Sequence, residues 1–145
     1  LLAGEDLDAL VGYDPRGIYG HPDHVRVHQV AVAAARTLGV RTRYDATVDR
    51  EHLHFVETHL VEEALAGDLG LVRSHLGTAT VEINTVVHAR PVLERKRLAM
   101  AAHESQIPAG SPARAMPADR FAEVYGYEWF LREGPAGPLD HLGLR

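Results

Sequence analysis

The sequence predicts an α/β fold with a mainly parallel sheet. Three observations predict it. Alternating, β-branched segments take turns along the chain with segments of helical period. Proline and glycine punctuate the joins between them. Length and composition suit one soluble globular domain, with 145 residues, 46% of them apolar and 24% charged. Such alternation is what a parallel sheet with helical crossovers requires.

The elements follow in order. "LDALVGYD", Leu7–Asp14, reads as a short buried strand that runs into a loop at Asp14-Pro15. Pro15, Gly17 and Gly20 keep the next residues irregular, since proline fixes φ and glycine admits positive φ. A helix begins at Pro22, where proline suits the first helical position and Asp23 suits the positive end of the dipole. It runs through "HVRVHQVAVAAARTL" and stops at Gly39, a natural left-handed terminator. "TRYDATV", Thr42–Val48, is the next strand. Arg50–Gly67 reads as a helix with Leu53, Val56, Leu60 and Ala64 on one face. Ala79–Val87, "ATVEINTVV", alternates and is β-branched, which predicts a strand. Pro91 opens a further helix that ends near Gln106. Ile107–Pro117, "IPAGSPARAMP", is expected to be a mobile loop. "ADRFAEV" is a short helix, "YGYEWFLR" a final strand, and the tail "EGPAGPLDHLGLR" is expected to be loosely ordered. With neither an internal repeat nor an interior linker, residues 1–145 read as one domain.

Bulk properties exclude several functions. A net charge of −5 gives no global signal for nucleic acid or an anionic membrane. No apolar run approaches the ~20 residues that span a bilayer. The absence of cysteine removes disulfides, thiolate metal sites and cysteine nucleophiles. The chain opens at Leu1 with neither an initiator methionine nor a signal-peptide pattern, and reads as a piece of a longer protein. A cytoplasmic location is expected.

Chemistry concentrates in "YDPRGIYGHPDHVRVH", Tyr13–His28. This stretch has the strand, glycine-bearing loop and helix start at which α/β sheets bind ligands. It crowds Tyr19, His21, Asp23 and His24 against unpaired helix N–H groups, which favour an anion or a developing oxyanion. Histidine and aspartate together are the donor set of a catalytic zinc without cysteine, which takes about three protein ligands and an open position. His24 and His28 share a helix face. His28, further along, reads as structural. Capping alone does not explain the compact set, because a helix start needs only one capping side chain.

The same stretch closely resembles the second signature of the LmbE-like N-deacetylases, of the form YD-x-x-GGYGHPDH-x-x-x-H. "KRLAMAAHESQ" (Lys96–Gln106) and the closing "YGYEWFLR" are similar to later family segments. The resemblance implies a Rossmann-like three-layer fold and zinc-dependent removal of an acetyl group from an N-acetylglucosamine-type amino sugar. It makes His24 the metal ligand and His21 the group that stabilises the oxyanion. Asp23 becomes the carboxylate that pairs with His21 and keeps it oriented and protonated, and Tyr19 a mobile-loop residue that helps bind substrate and the oxyanion. Tyr13, Asp14, Arg16 and His103 join as substrate-binding candidates, with a structural hydrogen bond as the equal alternative for His103. The implied cofactor is Zn2+, with another divalent metal such as Fe2+ as the alternative. The implied partner is a small amino-sugar molecule, without nucleic acid or membrane anchor, and a homo-oligomer is left open.

Two departures stand out. Ile18 occupies the place of the family's second glycine, which stiffens or narrows the loop carrying Tyr19. The family's first motif, AHPDDE, is absent. That motif supplies the other two zinc ligands and the general base, so the chain reads as the C-terminal portion of the domain. Two rivals follow: a non-catalytic binding module that keeps the fold, and an amidase acting on a mycothiol-type thiol conjugate. His52, His54, His59, Glu62 and Glu63 fall on one predicted helix, and His59 with Glu63 has chelating spacing. A solvated outer face is the simpler account. "ERKR", Glu94–Arg97, likewise reads as a solvated helix turn.

Overall fold

Leu10–Tyr13 form β1, Arg43–Thr47 β2, Thr85–His88 β3 and Tyr127–Glu133 β4. Helices occupy Pro22–Leu38 (α1), Arg50–His59 (α2), Leu93–Ala102 (α3) and Ala118–Tyr125 (α4). The computed structural model describes residues 2, 4–59 and 76–142. Among these, no helix is long and apolar enough to cross a membrane.

The four strands form one sheet in the order β1-β2-β4-β3. β1 pairs parallel with β2, while β4 runs antiparallel to both β2 and β3. β1, β2 and β3 therefore share one direction and β4 alone opposes it. The expected mainly parallel sheet holds for strand direction but not for pairing, since two of the three ladders are antiparallel. The reason lies at the end of β3. Ala89 N–H donates to Gly126 O at 2.9 Å, so β4 starts beside the end of β3 and must run back down, between β3 and β2.

Side chains alternate across a strand, and β2 shows what each face meets. Arg43, Asp45 and Thr47 point to the face covered by α1 and α2. Gly12 of β1, paired with Asp45, lets α1 approach so closely that a Cβ there would lie 2.9 Å from Ala31 Cβ. On the same face, His52 of α2 packs on Trp129, the cross-strand partner of Thr47, at 4.8 Å between ring centroids. Tyr44 points to the other face, fully buried with its ring edge on Phe130.

α1 begins at Pro22 and ends at Gly39, which takes φ 70° and donates its N–H to Ala35 O, as the sequence predicts. Elsewhere, tertiary contacts override local pattern. Thr80–Glu82, expected as strand, is a 3-10 turn, and β3 starts only at Thr85. Glu51 accepts from the Thr80 N–H at 2.9 Å, and Asp49 and Glu51 both take its hydroxyl, which turns the chain and leaves Val81 in solvent. The expected loop 107–117 holds a helical turn at Pro112–Ala115, with Ala113 and Met116 buried. Arg97 donates to the carbonyls of Arg114 and Met116 and ties this segment to α3. α3 ends at Ala102, before Gln106, because His103 leaves helical geometry at ψ 55°. In the tail, Pro138–His141 form a 3-10 turn anchored by Asp140. The predicted helix Arg50–Gly67 is seen as far as His59, with Val56 buried; Leu60 and Ala64 lie outside the described residues.

Candidate functional site

The site grows from the carboxyl end of β1. Asp14, 1% exposed, follows Tyr13 directly and organises the turn after it. Its Oδ1 accepts from the N–H groups of Arg16 (2.9 Å) and Ile18 (3.0 Å), and its Oδ2 from the Thr47 hydroxyl (2.6 Å). Gly17 takes φ 63°, and a Cβ there would press on Val25 and His24 at 3.0 and 3.1 Å. Ile18 is the exceptional residue. It adopts φ 63° and ψ −66°, a region that glycine enters freely and a β-branched side chain almost never does. Holding it there costs about 1–3 kcal/mol. The departure from the family signature thus falls on a backbone position that favours glycine.

After this turn α1 begins, with His21 at its cap. The Asp23 N–H donates to His21 Nδ1 at 3.2 Å. The Asp23 carboxylate lies 3.9 Å from the same nitrogen, beyond hydrogen-bond distance, and is 88% exposed. His21 Nδ1 is therefore an acceptor here, which leaves its proton on Nε2 in the neutral ring.

Four aromatic rings converge at this helix start. Tyr13 stacks on His24, with centroids 4.0 Å apart and planes 19° apart. Tyr19 meets His24 edge-on at 5.3 Å and His21 at 5.9 Å. His21 and His24 lie 4.9 Å apart. His24 Nδ1 is buried and has no hydrogen-bond partner. Buried polar atoms in folded proteins are nearly always satisfied, which sets this imidazole nitrogen apart. His28, one turn further on, donates from Nδ1 to Tyr13 O at 2.9 Å and lies 3.6 Å from Asp45. Arg43 grips Asp45 through two bonds of 2.8 and 2.9 Å, which hold its guanidinium above the ordinary arginine range. His28 is thus structural, as the sequence suggests, and braces the floor on which His24 stacks.

Tyr13, Tyr19, His21 and His24 come together. Asp14 and Arg16 do not face the cluster. Asp14 is consumed by the turn, and Arg16 donates to Gly77 O (3.2 Å) and Thr78 Oγ1 (3.4 Å). His103 is exposed at the end of α3, where its carbonyl accepts from the N–H groups of Gln106 and Ile107. His52 packs against the sheet, and the pairing of His59 with Glu63 rests on a residue outside the described ones. Among the described residues no group of three or more histidine and carboxylate side chains could hold a metal. Thr47 and Thr78, whose hydroxyls lie 2.8 Å apart behind Asp14, escaped the sequence reading. The available signal was a polar residue closing an otherwise buried strand.

No family model matches the chain. Among curated proteins it is 31% identical over 160 residues to the 1D-myo-inositol 2-acetamido-2-deoxy-alpha-D-glucopyranoside deacetylase of Nocardia farcinica, an alignment covering 89% of this chain and 50% of that protein. It is 32% identical to the protein of the same name from Kribbella flavida, with 91% and 51% covered. The corresponding protein of Rhodococcus jostii gives 32%, with 92% and 51% covered. The chain spans about half the length of these curated relatives.

Proposed function

Because this chain belongs to the LmbE-like N-deacetylases, we propose that its protein hydrolyses the acetamide of an N-acetylglucosamine-type amino sugar. The observation that carries this is the unpartnered, buried Nδ1 of His24, set among Tyr13, Tyr19 and His21 at a helix start. A borderline-soft nitrogen kept free of hydrogen bonds suits a zinc ligand, and His24 is the residue of this chain that would hold the ion. Zinc, when bound, supplies a water acidified towards ~7 and polarises the amide carbonyl.

The chain's own residues divide the remaining work. Tyr13 fixes the plane of His24 by stacking on it. His21 presents Nε2–H to the oxygen that becomes an oxyanion, since its Nδ1 is occupied by the Asp23 amide. The Asp23 carboxylate, 3.9 Å from Nδ1, is the charged partner that would help orient the ring. Tyr19, half-exposed over both histidines, is placed to meet the substrate. In this reading the chain is the C-terminal portion of a three-layer, Rossmann-like domain, and helices that meet both sheet faces support that architecture.

The test replaces His24 by alanine in the full-length protein and measures bound zinc together with amide hydrolysis. Both should be lost. If zinc content and rate both stayed at wild-type levels, His24 would not be a ligand.

A further inference from the structure

We infer that Asp14 is a positioning residue, the anchor of a closed hydrogen-bond ring that holds the strained Tyr19–His21 loop in its working shape. The ring joins four residues from three places in the chain. Thr47 at the end of β2 donates to Asp14 Oδ2 at 2.6 Å. The Thr47 hydroxyl has only one proton, so at its 2.8 Å contact with Thr78 the donor must be Thr78. Arg16 donates from Nη2 to Thr78 Oγ1, and from its backbone N–H back to Asp14 Oδ1. Every donor thus points, in sequence, towards one carboxylate. Asp14, Thr47 and Thr78 are each at most 5% exposed, so the carboxylate and its two hydroxyl partners are closed to solvent, with the exposed Arg16 on the outer side of the ring.

What the ring holds is unfavourable by itself. Ile18 N–H is bound to the same Oδ1 while its backbone sits in a region hostile to a branched side chain. Without that acceptor the turn keeps only the backbone bonds from Gly17 N–H to Asp14 O and from Gly20 N–H to Arg16 O, and the next three residues include Tyr19 and His21. Loss of the anchor therefore acts on catalysis through geometry, at a distance from any substrate atom. This rests on the deacetylase reading only for its catalytic consequence; the ring itself has an independent test.

The experiment compares Asp14→Ala, Asp14→Asn, Thr47→Val and the double variant Asp14→Ala/Ile18→Gly in the full-length protein. Asp14→Ala should lower kcat by about 100-fold and leave KM within about threefold, as expected for misplaced groups. Asparagine keeps an oxygen for both loop N–H groups, and Thr47 and Thr78 can reverse their hydroxyls, so Asp14→Asn should recover most of kcat. Thr47→Val, nearly isosteric, should give a smaller loss in the same direction. Adding Ile18→Gly to Asp14→Ala should restore at least about fivefold, because glycine holds the turn without strain. A rise in KM alone would make Asp14 a substrate contact and overturn the inference, as would an undiminished kcat in Asp14→Ala. Hydrogen exchange at the Arg16 and Ile18 amides is the readout that does not need activity. It should quicken in Asp14→Ala and Thr47→Val and stay near wild type in Asp14→Asn; unchanged exchange in Asp14→Ala would sink the ring. A wild-type protein with no amide hydrolysis would fail the deacetylase reading alone.

Discussion

Replacing Asp140 by asparagine should be among the most destabilising single-atom changes available in this chain. Its carboxylate, 17% exposed, accepts four bonds. Oδ2 takes the Tyr44 hydroxyl at 2.6 Å and the Gly137 N–H at 2.8 Å; Oδ1 takes the Thr85 hydroxyl at 2.8 Å and Arg132 Nη1 at 3.0 Å. Asparagine offers one oxygen, so two of these donors would face an NH2 group. If that amide replaced Oδ2, Tyr44 could turn its hydroxyl to accept, but the Gly137 N–H could not. At roughly 1.5–3 kcal/mol for a bond to a charged group, and a further penalty for a buried donor left bare, the loss comes to about 3–5 kcal/mol. That is a large share of the 5–15 kcal/mol typical of whole proteins, and corresponds to a fall in Tm of about 10 °C. The pH dependence adds a second check. Burial pushes the Asp140 carboxyl up, but the bonds from Gly137, Tyr44, Thr85 and Arg132 outweigh it and hold the group well below the ordinary carboxylate range. A depressed folded pKa means stability that is complete above the unfolded value, about 4, and is lost as pH falls below it. The gap between wild type and Asp140→Asn, followed by urea unfolding, should therefore be full at pH 6 and narrow steadily below pH 4. A gap under about 1 kcal/mol, or one that ignores pH, would refute the account of Asp140 as the clasp between tail and sheet.

Two further outcomes follow from the same coordinates. Ile18→Gly should stabilise the protein by roughly 1 kcal/mol, the relief of about 1–3 kcal/mol of strain less the entropy of an added glycine, and a lowered Tm would contradict it. Glu51 is pulled down to about 2, chiefly by the Thr80 hydroxyl and then by the Thr80 N–H. In an NMR titration, Thr80→Val should bring its carboxyl back towards the ordinary value, and no movement would show that Thr80 is not the cause.

What could be read in advance was whatever is local. The start of α1 at Pro22 and its stop at Gly39 are properties of one residue each, and both hold. The clustering of Tyr19, His21 and His24 is likewise local, since a loop and one helical turn bring them together. Asp140 is the opposite case. "EGPAGPLDHLGLR" looks loosely ordered because it is a chain terminus rich in proline and glycine, yet a single half-buried carboxylate ties it to Tyr44, 96 positions earlier. Thr80 fails in the same way: β-branched residues at strand spacing were turned into a 3-10 helix by acceptors on Asp49 and Glu51, about thirty residues before.

Asp14 shows why the site was only half legible. Its place in the signature marks it as important, and its neighbours suggest substrate. The carboxylate is spent instead on two amides of its own loop and on a threonine 33 residues away. Residues proposed to meet a substrate and those that hold the loop are chemically alike in a sequence, because both are polar side chains at loop positions. Burial separates them. Tyr19 is 54% exposed and Asp14 1%. The polar density of Tyr13–His28 therefore serves two ends, one set of rings kept open at the helix start and one carboxylate closed beneath them.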